Sequence, residues 1–152
     1  MEKKIVQVQE RTQQLIRQLL NVWESSVRAT HDFLSEEEII KIREYVPMAI
    51  ENVEYLIIAE KEFGEPVAFM GIDSNRLEML FLSPEVRGKG LGKQLLQYGI
   101  ETYNIQELTV NEQNPQAVGF YEHMGFMVYK RTDLDEQGTQ YPILYMNREV
   151  NE

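Results

Sequence analysis

The stretch Arg87-Gly88-Lys89-Gly90-Leu91-Gly92 has the residue types and spacing of an anion-binding turn. Glycines at alternate positions remove the Cβ atoms that hold a ligand off the backbone, so several N–H groups can converge on one phosphate where a helix begins. Arg87 and Lys89 add positive charge beside them. A strand-like run, Leu77 to Ser83, precedes the turn, and a helix-like run, Lys93 to Tyr103, follows it. Spacing then removes two familiar phosphate sites. A dinucleotide fingerprint requires G-x-G-x-x-G, but Lys93 stands three residues beyond Gly90. A P-loop requires G-x-x-x-x-G-K-[ST], but Gln94 follows Gly92-Lys93 and Arg87 occupies the place of the first glycine. What survives is R-x-x-G-x-G, at Arg87, Gly90 and Gly92. A plain glycine-rich surface turn before an amphipathic helix remains the alternative for this hexapeptide alone.

A second constellation lies about twenty residues on, from Asn114 to Phe126. Asn114 is a good N-cap, Pro115 suits the first helical position, and Gly125 suits the left-handed turn that ends a helix. Ala117, Phe120, Tyr121 and Met124 fall on one side of that short helix; Ala117, Phe120 and Met124 read as core.

The two motifs, in this order and spacing, resemble the two signatures of the GCN5-related N-acetyltransferases, which move an acetyl group from acetyl-CoA to an amine. The resemblance covers about Leu77 to Met146. It implies a single domain of α/β (α+β) type, with a mixed, mostly antiparallel sheet of about seven strands flanked by four helices. It also implies fourth and fifth strands that run parallel and splay apart to admit CoA. On that pattern, unpaired backbone groups of Leu80, Phe81 and Leu82 bind the pantetheine arm. The pyrophosphate falls on the turn and helix start, Arg87, Gly88, Lys89, Gly90, Leu91, Gly92 and Lys93, and Asn114 contacts the CoA arm. Tyr121 is implied as the general acid for the departing thiolate. Glu78, on the fourth strand, is the first choice of base, with a solvent-facing strand residue as the alternative. Where some relatives place a Glu on the fifth strand this chain has Thr109, and Glu112 just beyond it is a substitute acting through water. A backbone N–H at Leu82 or a neighbour would polarise the thioester oxygen.

The N-terminal half matches less sharply. Trp23 and the run Ala29-Thr30-His31-Asp32-Phe33-Leu34 resemble a bacterial subgroup of small acetyltransferases with the same Trp and Thr-His-Asp-Phe-Leu combination. In the family this segment lines the acceptor pocket. His31, Asp32 and Phe33 are therefore the candidate substrate-binding residues, with His31 binding substrate or accepting a proton and Asp32 holding its ring.

Composition sets the outer bounds. At 152 residues with 43% apolar content the chain suits one domain, 1–152, with a real core. With no cysteine there is no disulfide or thiolate chemistry, and His31 and His123 have no partner at a recognised ligand spacing, so no metal is expected. Apolar runs are short, and Met1-Glu2-Lys3-Lys4 leads into a short alternating stretch, so neither a transmembrane segment nor a signal peptide is expected and the protein reads as cytoplasmic. A net charge of −10, from 25 acidic and 15 basic residues, repels nucleic acid and anionic membranes and fits an amine-bearing acceptor. The basic cluster Arg87, Lys89, Lys93 reverses that sign locally, as a phosphate-bearing co-substrate requires. A homodimer through the exposed edge of the final strand is in keeping with the family. A non-catalytic acyl-CoA sensor and a transferase of another acyl group are the rival readings, and the acceptor is not identified by the sequence.

The elements that must position these residues follow from periodicity. Strands are predicted at Lys4 to Val8, Tyr55 to Ala59, Val67 to Ile72, Leu77 to Leu82, Glu107 to Val110, Phe126 to Arg131 and Tyr141 to Met146. Helices are predicted from Thr12 to Ala29, from Ser35 (a capping box with Glu38) to near Pro47, from Gly90 to Tyr103 and from Pro115 to Met124. A meander followed by βα units predicts a mixed sheet covered on both faces.

Overall fold

The computed structural model describes residues 4–148, apart from the side chain of residue 63. Residues 1–3, which entered the expectation of no leader segment, lie outside the described residues. Seven strands form one sheet: β1 (Lys4–Gln7), β2 (Tyr55–Glu60), β3 (Pro66–Asp73), β4 (Arg76–Leu82), β5 (Glu107–Asn111), β6 (Phe126–Thr132) and β7 (Ile143–Arg148), in the order β1-β2-β3-β4-β5-β7-β6. The first four make the expected antiparallel meander, and β3 is buried along nearly its whole length because helices cover both faces there.

The four expected helical segments are present: α1 (Gln13–Thr30), α2 (Glu36–Arg43), α4 (Leu91–Tyr103) and α5 (Pro115–His123). Their starts are written in the side chains. Thr12 accepts from the Leu15 N–H, Ser35 and Glu38 form a full capping box, and Asn114 accepts from the Ala117 N–H at 3.3 Å. One further short helix, α3 (Val46–Asn52), was not expected. Pro47 does not end α2; it sits in the first turn of α3, where its missing N–H costs nothing. Arg11 closes the far end of α3, donating to the carbonyls of Ile50, Glu51 and Glu54 at 2.8–3.1 Å.

Two cores lie on opposite faces of the sheet. On one, Leu19, Trp23 and Val27 of α1 pack with Ile39, Ile50, Leu56 and Phe69. On the other, Leu95 and Leu96 of α4 and Tyr121 of α5 pack with Met70, Ile72, Leu108, Phe126 and Met146. Among the described residues no helix is long and apolar enough to cross a membrane.

Two details correct the sequence reading. The last strand begins at Ile143 rather than Tyr141, because Pro142 lacks the N–H a ladder needs. β7 is also not an edge: it returns to pair with β5, Thr109 opposite Tyr145, and the exposed edge falls to β6, with its outward Met127, Val128 and Tyr129. The dimer edge expected on the final strand is therefore occupied by intramolecular hydrogen bonds.

Candidate active site

The parallel pairing of β4 with β5 is brief. Arg76 lies opposite Glu107 and Leu77 opposite Leu108, and no further residue pairs follow. Beyond them Glu78–Leu82 and Thr109–Asn111 diverge, and a cavity of about 440 Å³ opens in the gap. Its walls include Leu80, Phe81 and Leu82 on one side and Thr109, Val110 and Asn111 on the other. Backbone groups of β4 that a full ladder would have consumed are free to bond a ligand there.

A bulge in β4 decides what faces the cavity. Met79 pairs with Gly71 and Leu77 with Ile72, which leaves Glu78 as the extra residue. Side-chain parity flips at that point. Leu77, Leu80 and Leu82 pack towards α4 and α5, while Met79 and Phe81 pack towards α1. Glu78 is turned into the cavity wall, its side chain 32% exposed and 3.3 Å from Arg76. Partial burial pushes its carboxyl above the ordinary value and Arg76 opposes the shift. Arg76 is shared with Glu136 of the β6–β7 connection, at 2.6 Å.

At the other end stands the glycine turn. Pro84–Val86 form a single 3-10 turn, and Gly88 and Gly90 adopt φ of +75° and +83°, a region that residues with a Cβ enter only under strain. Gly90 is the N-cap of α4 and offers no side-chain cap, so the N–H groups of the first turn of α4 have no side-chain partner. These amides, the dipole of α4 and the charges of Arg87 and Lys93 converge on the cavity mouth, which Arg87, Gly88, Gly90, Gly92 and Lys93 line. Lys89 and Leu91 are not in the wall: Lys89 is exposed, and the Leu91 side chain is buried in the core beneath. Gln116 of α5 braces Arg87 from the far side at 3.3 Å.

Between the two ends α5 delivers Tyr121. Its ring is held by Phe120 and Phe126, with centroids 5.3 and 6.3 Å away, and its burial pushes the hydroxyl well above the ordinary tyrosine range, so it is a phenol at neutral pH. Asn114 lines the cavity as well, its Oδ1 committed to the cap and its amide nitrogen left to donate.

The N-terminal half contributes the C-terminal end of α1. His31 follows the last residue of α1 and lines the cavity, as do Thr30 and Ser26, which sequence reasoning did not single out. Burial holds the His31 imidazole below its ordinary pKa; Arg87 adds to the shift and Asp32 opposes it. Asp32 does not hold the ring as expected. Among the described residues it makes no hydrogen bond to His31, and Thr30 Oγ1 occupies the ring Nδ1 at 2.7 Å instead. Asp32 and Phe33 are outside the wall, although Phe33 stacks between His31 and Tyr141, at 5.3 and 5.9 Å, and forms an aromatic bridge from the α1–α2 loop to the β6–β7 connection. Glu112 is also placed differently. Arg131 clamps it through two hydrogen bonds of 2.6 and 3.0 Å, which lower its pKa, and it does not reach the cavity.

The cleft brings together the amides and the Arg87 and Lys93 charges of the glycine turn, the protonated Tyr121, the Glu78 carboxylate and the His31 imidazole. Comparison with known proteins agrees with it. The sequence profile of an acetyltransferase (GNAT) domain matches residues 18–141. The chain is 40% identical over 126 residues to the peptidyl-lysine N-acetyltransferase YjaB of Salmonella typhimurium, covering 83% of this chain and 86% of that one. The solution structure of apo YjaB from Escherichia coli superposes with a TM-score of 0.85 at 34% identity, over 97% of this chain and 99% of the other. A paia N-acetyltransferase from Thermoplasma acidophilum, solved in complex with coenzyme A, shares the fold at a TM-score of 0.70 and 23% identity, over 97% and 99% of the two chains. With profile, sequence and fold in agreement over most of its length, this chain belongs to the GNAT family of acetyltransferases and is an acyltransferase.

Proposed function

We propose that the protein transfers the acetyl group of acetyl-CoA to a primary amine, the ε-amine of a lysine side chain being the acceptor that its relatives' names support. The observation that carries the reading is the short β4–β5 ladder with a glycine turn at one end of the gap and a buried tyrosine inside it. The CoA arm lies along Leu80, Phe81 and Leu82 as a surrogate strand, its pyrophosphate on the free amides at the start of α4. The thioester then reaches Tyr121.

The acceptor arrives as an ammonium, with a pKa near ~10.4. It must lose a proton before its nitrogen attacks the carbonyl carbon. As the C–N bond forms, a β4 backbone N–H stabilises the carbonyl oxygen. The C–S bond then breaks and the sulfur leaves with the electron pair. Tyr121, kept protonated by burial, donates to that sulfur. The excess proton on the new amide nitrogen restores the phenol, and the proton first taken from the ammonium goes to solvent. The Glu78 carboxylate in the cavity wall favours the cationic acceptor, as does the chain's net charge of −10. A cytoplasmic setting with free acetyl-CoA suits this chemistry.

The test is calorimetric titration with acetyl-CoA against NADH and ATP, followed by thiol release with a lysine peptide. Selective binding and acceptor-dependent release are expected. Binding without release from any amine would favour the acyl-CoA sensor, and no binding would sink the reading.

A further inference from the structure

The cavity holds two groups able to take the acceptor's proton, Glu78 and His31. Their surroundings differ. Glu78 lies 3.3 Å from Arg76, which offsets part of the burial that raises its carboxyl, and its charge on the wall can attract the ammonium. His31 is held in a way that leaves one ring nitrogen free and defines its state. Thr30 Oγ1 lies 2.8 Å from the Ser26 carbonyl oxygen and 2.7 Å from His31 Nδ1. A carbonyl only accepts, so the single Thr30 hydroxyl proton goes to Ser26. The only assignment that satisfies both contacts makes His31 Nδ1 the donor to Oγ1. That fixes the tautomer: the proton is on Nδ1, and Nε2 carries the lone pair. Packing of Phe33 against the imidazole, 5.3 Å between centroids, holds the ring's tilt.

We infer that His31 Nε2 is the base that removes the proton from the acceptor ammonium, with Thr30, anchored on Ser26, as the positioning residue that fixes its tautomer. The inference deepens the acetyl-transfer reading and rests on it. The proton passes from the ammonium nitrogen to Nε2, the freed pair attacks the thioester carbon, and the imidazolium later releases its proton to solvent. Asp32 beside the ring, Glu78 on β4, Arg87 in the turn, Lys93 on α4 and Tyr121 on α5 are the charged and titratable groups around it. Burial and Arg87 both lower the imidazole's pKa, which favours the neutral ring that a base needs.

The experiment compares the pH dependence of kcat/KM for a lysine peptide in wild type, His31→Gln and Glu78→Gln, alongside histidine nitrogen NMR of the unliganded protein. Wild type should rise through a pKa below 6.5 and then stay level until the acceptor's own ionisation near ~10. His31→Gln should lose on the order of 10²-fold at pH 7 and recover about tenfold per pH unit as free amine accumulates. Glu78→Gln should keep the wild-type shape with a higher KM. A His31→Gln profile parallel to wild type, or a Glu78→Gln profile that alone loses the acidic limb, overturns the inference. The NMR readout needs no activity: the Nδ1–H tautomer is expected at His31, with Thr30→Val shifting the population towards Nε2–H, and an Nε2–H wild type would overturn it. Failure of acetyl-CoA to bind is a separate result that strikes the acetyl-transfer reading itself.

Discussion

The two ends of the cleft are made of different material. The anion end is backbone: amides at the start of α4, set by the left-handed Gly88 and Gly90 within one continuous segment. The proposed acceptor end is side chains: His31 from the end of α1 and Glu78 from a bulge in β4, with Phe33 and Tyr141 bridging nearby and Tyr121 of α5 standing between it and the turn. A backbone site recognises something every reaction cycle brings, so local geometry suffices for it. A side-chain site depends on packing between distant segments, and it is where one member of a fold comes to differ from another.

The largest expected effect separates binding from chemistry. Tyr121→Phe keeps the ring contacts with Phe120 and Phe126 and removes only the hydroxyl. Turnover should fall by about 10²–10⁴-fold, the usual worth of a positioned acid. Calorimetry should find acetyl-CoA affinity unchanged, and an equal loss of affinity would show that the two ends are not separable.

Gly90→Val acts at the opposite end. At φ +83° a β-branched residue is strained whatever the space around it. Strain of about 1–3 kcal/mol displaces the turn and should weaken acetyl-CoA binding by roughly 10–100-fold. If affinity survives while turnover collapses, the turn is only a turn and the phosphate sits elsewhere.

Glu78→Gln should do less. It removes one partly exposed charge, so the KM for a cationic peptide should rise by about two- to five-fold, as for other half-screened pairs. The sharper readout is salt: the wild-type KM should increase with ionic strength more steeply than that of the variant. Identical salt slopes would remove Glu78 from acceptor recognition.

The contrast also explains what the sequence made legible. Gly90, Asn114 and Gly125 act through backbone conformation or caps within a few residues of themselves, so these local signals placed the turn and both flanking helices. Four helices and seven strands could be read the same way, because Ser35, Thr12 and Pro115 are local signals. The bulge at Glu78 could not. Uninterrupted alternation puts Leu77, Met79 and Phe81 on one face, and only the shift against Gly71 and Ile72 separates Leu77 from the other two. A signal was present in the run Leu80-Phe81-Leu82, where three successive apolar residues fit a strand covered on both faces. Pro47 misled for a related reason: it was read as a stop, yet Arg11, far away in sequence, caps the helix that Pro47 opens. Thr30 stood in the Thr-His-Asp-Phe-Leu segment but its part, like that of Ser26, could not be read there, since it depends on the ring of His31 turning back over the last turn of α1.

The smallest predicted effect tests how far the side-chain end extends. Glu112 follows β5 and, on sequence position alone, is a candidate to act on the acceptor through water. The fold spends it otherwise. Both of its oxygens accept from Arg131 on β6, and the residue is absent from the cavity wall. A carboxylate whose pKa is lowered by a guanidinium is also a poorer base than a free one, because the partner stabilises the charged form that proton uptake would discharge. Glu112→Gln should therefore leave turnover within about twofold of wild type across the pH range, as surface ion pairs contribute little. A tenfold loss of turnover with an unchanged KM would move the boundary of the acceptor end past β5, and would mean that the Arg131 clamp opens when the acceptor binds.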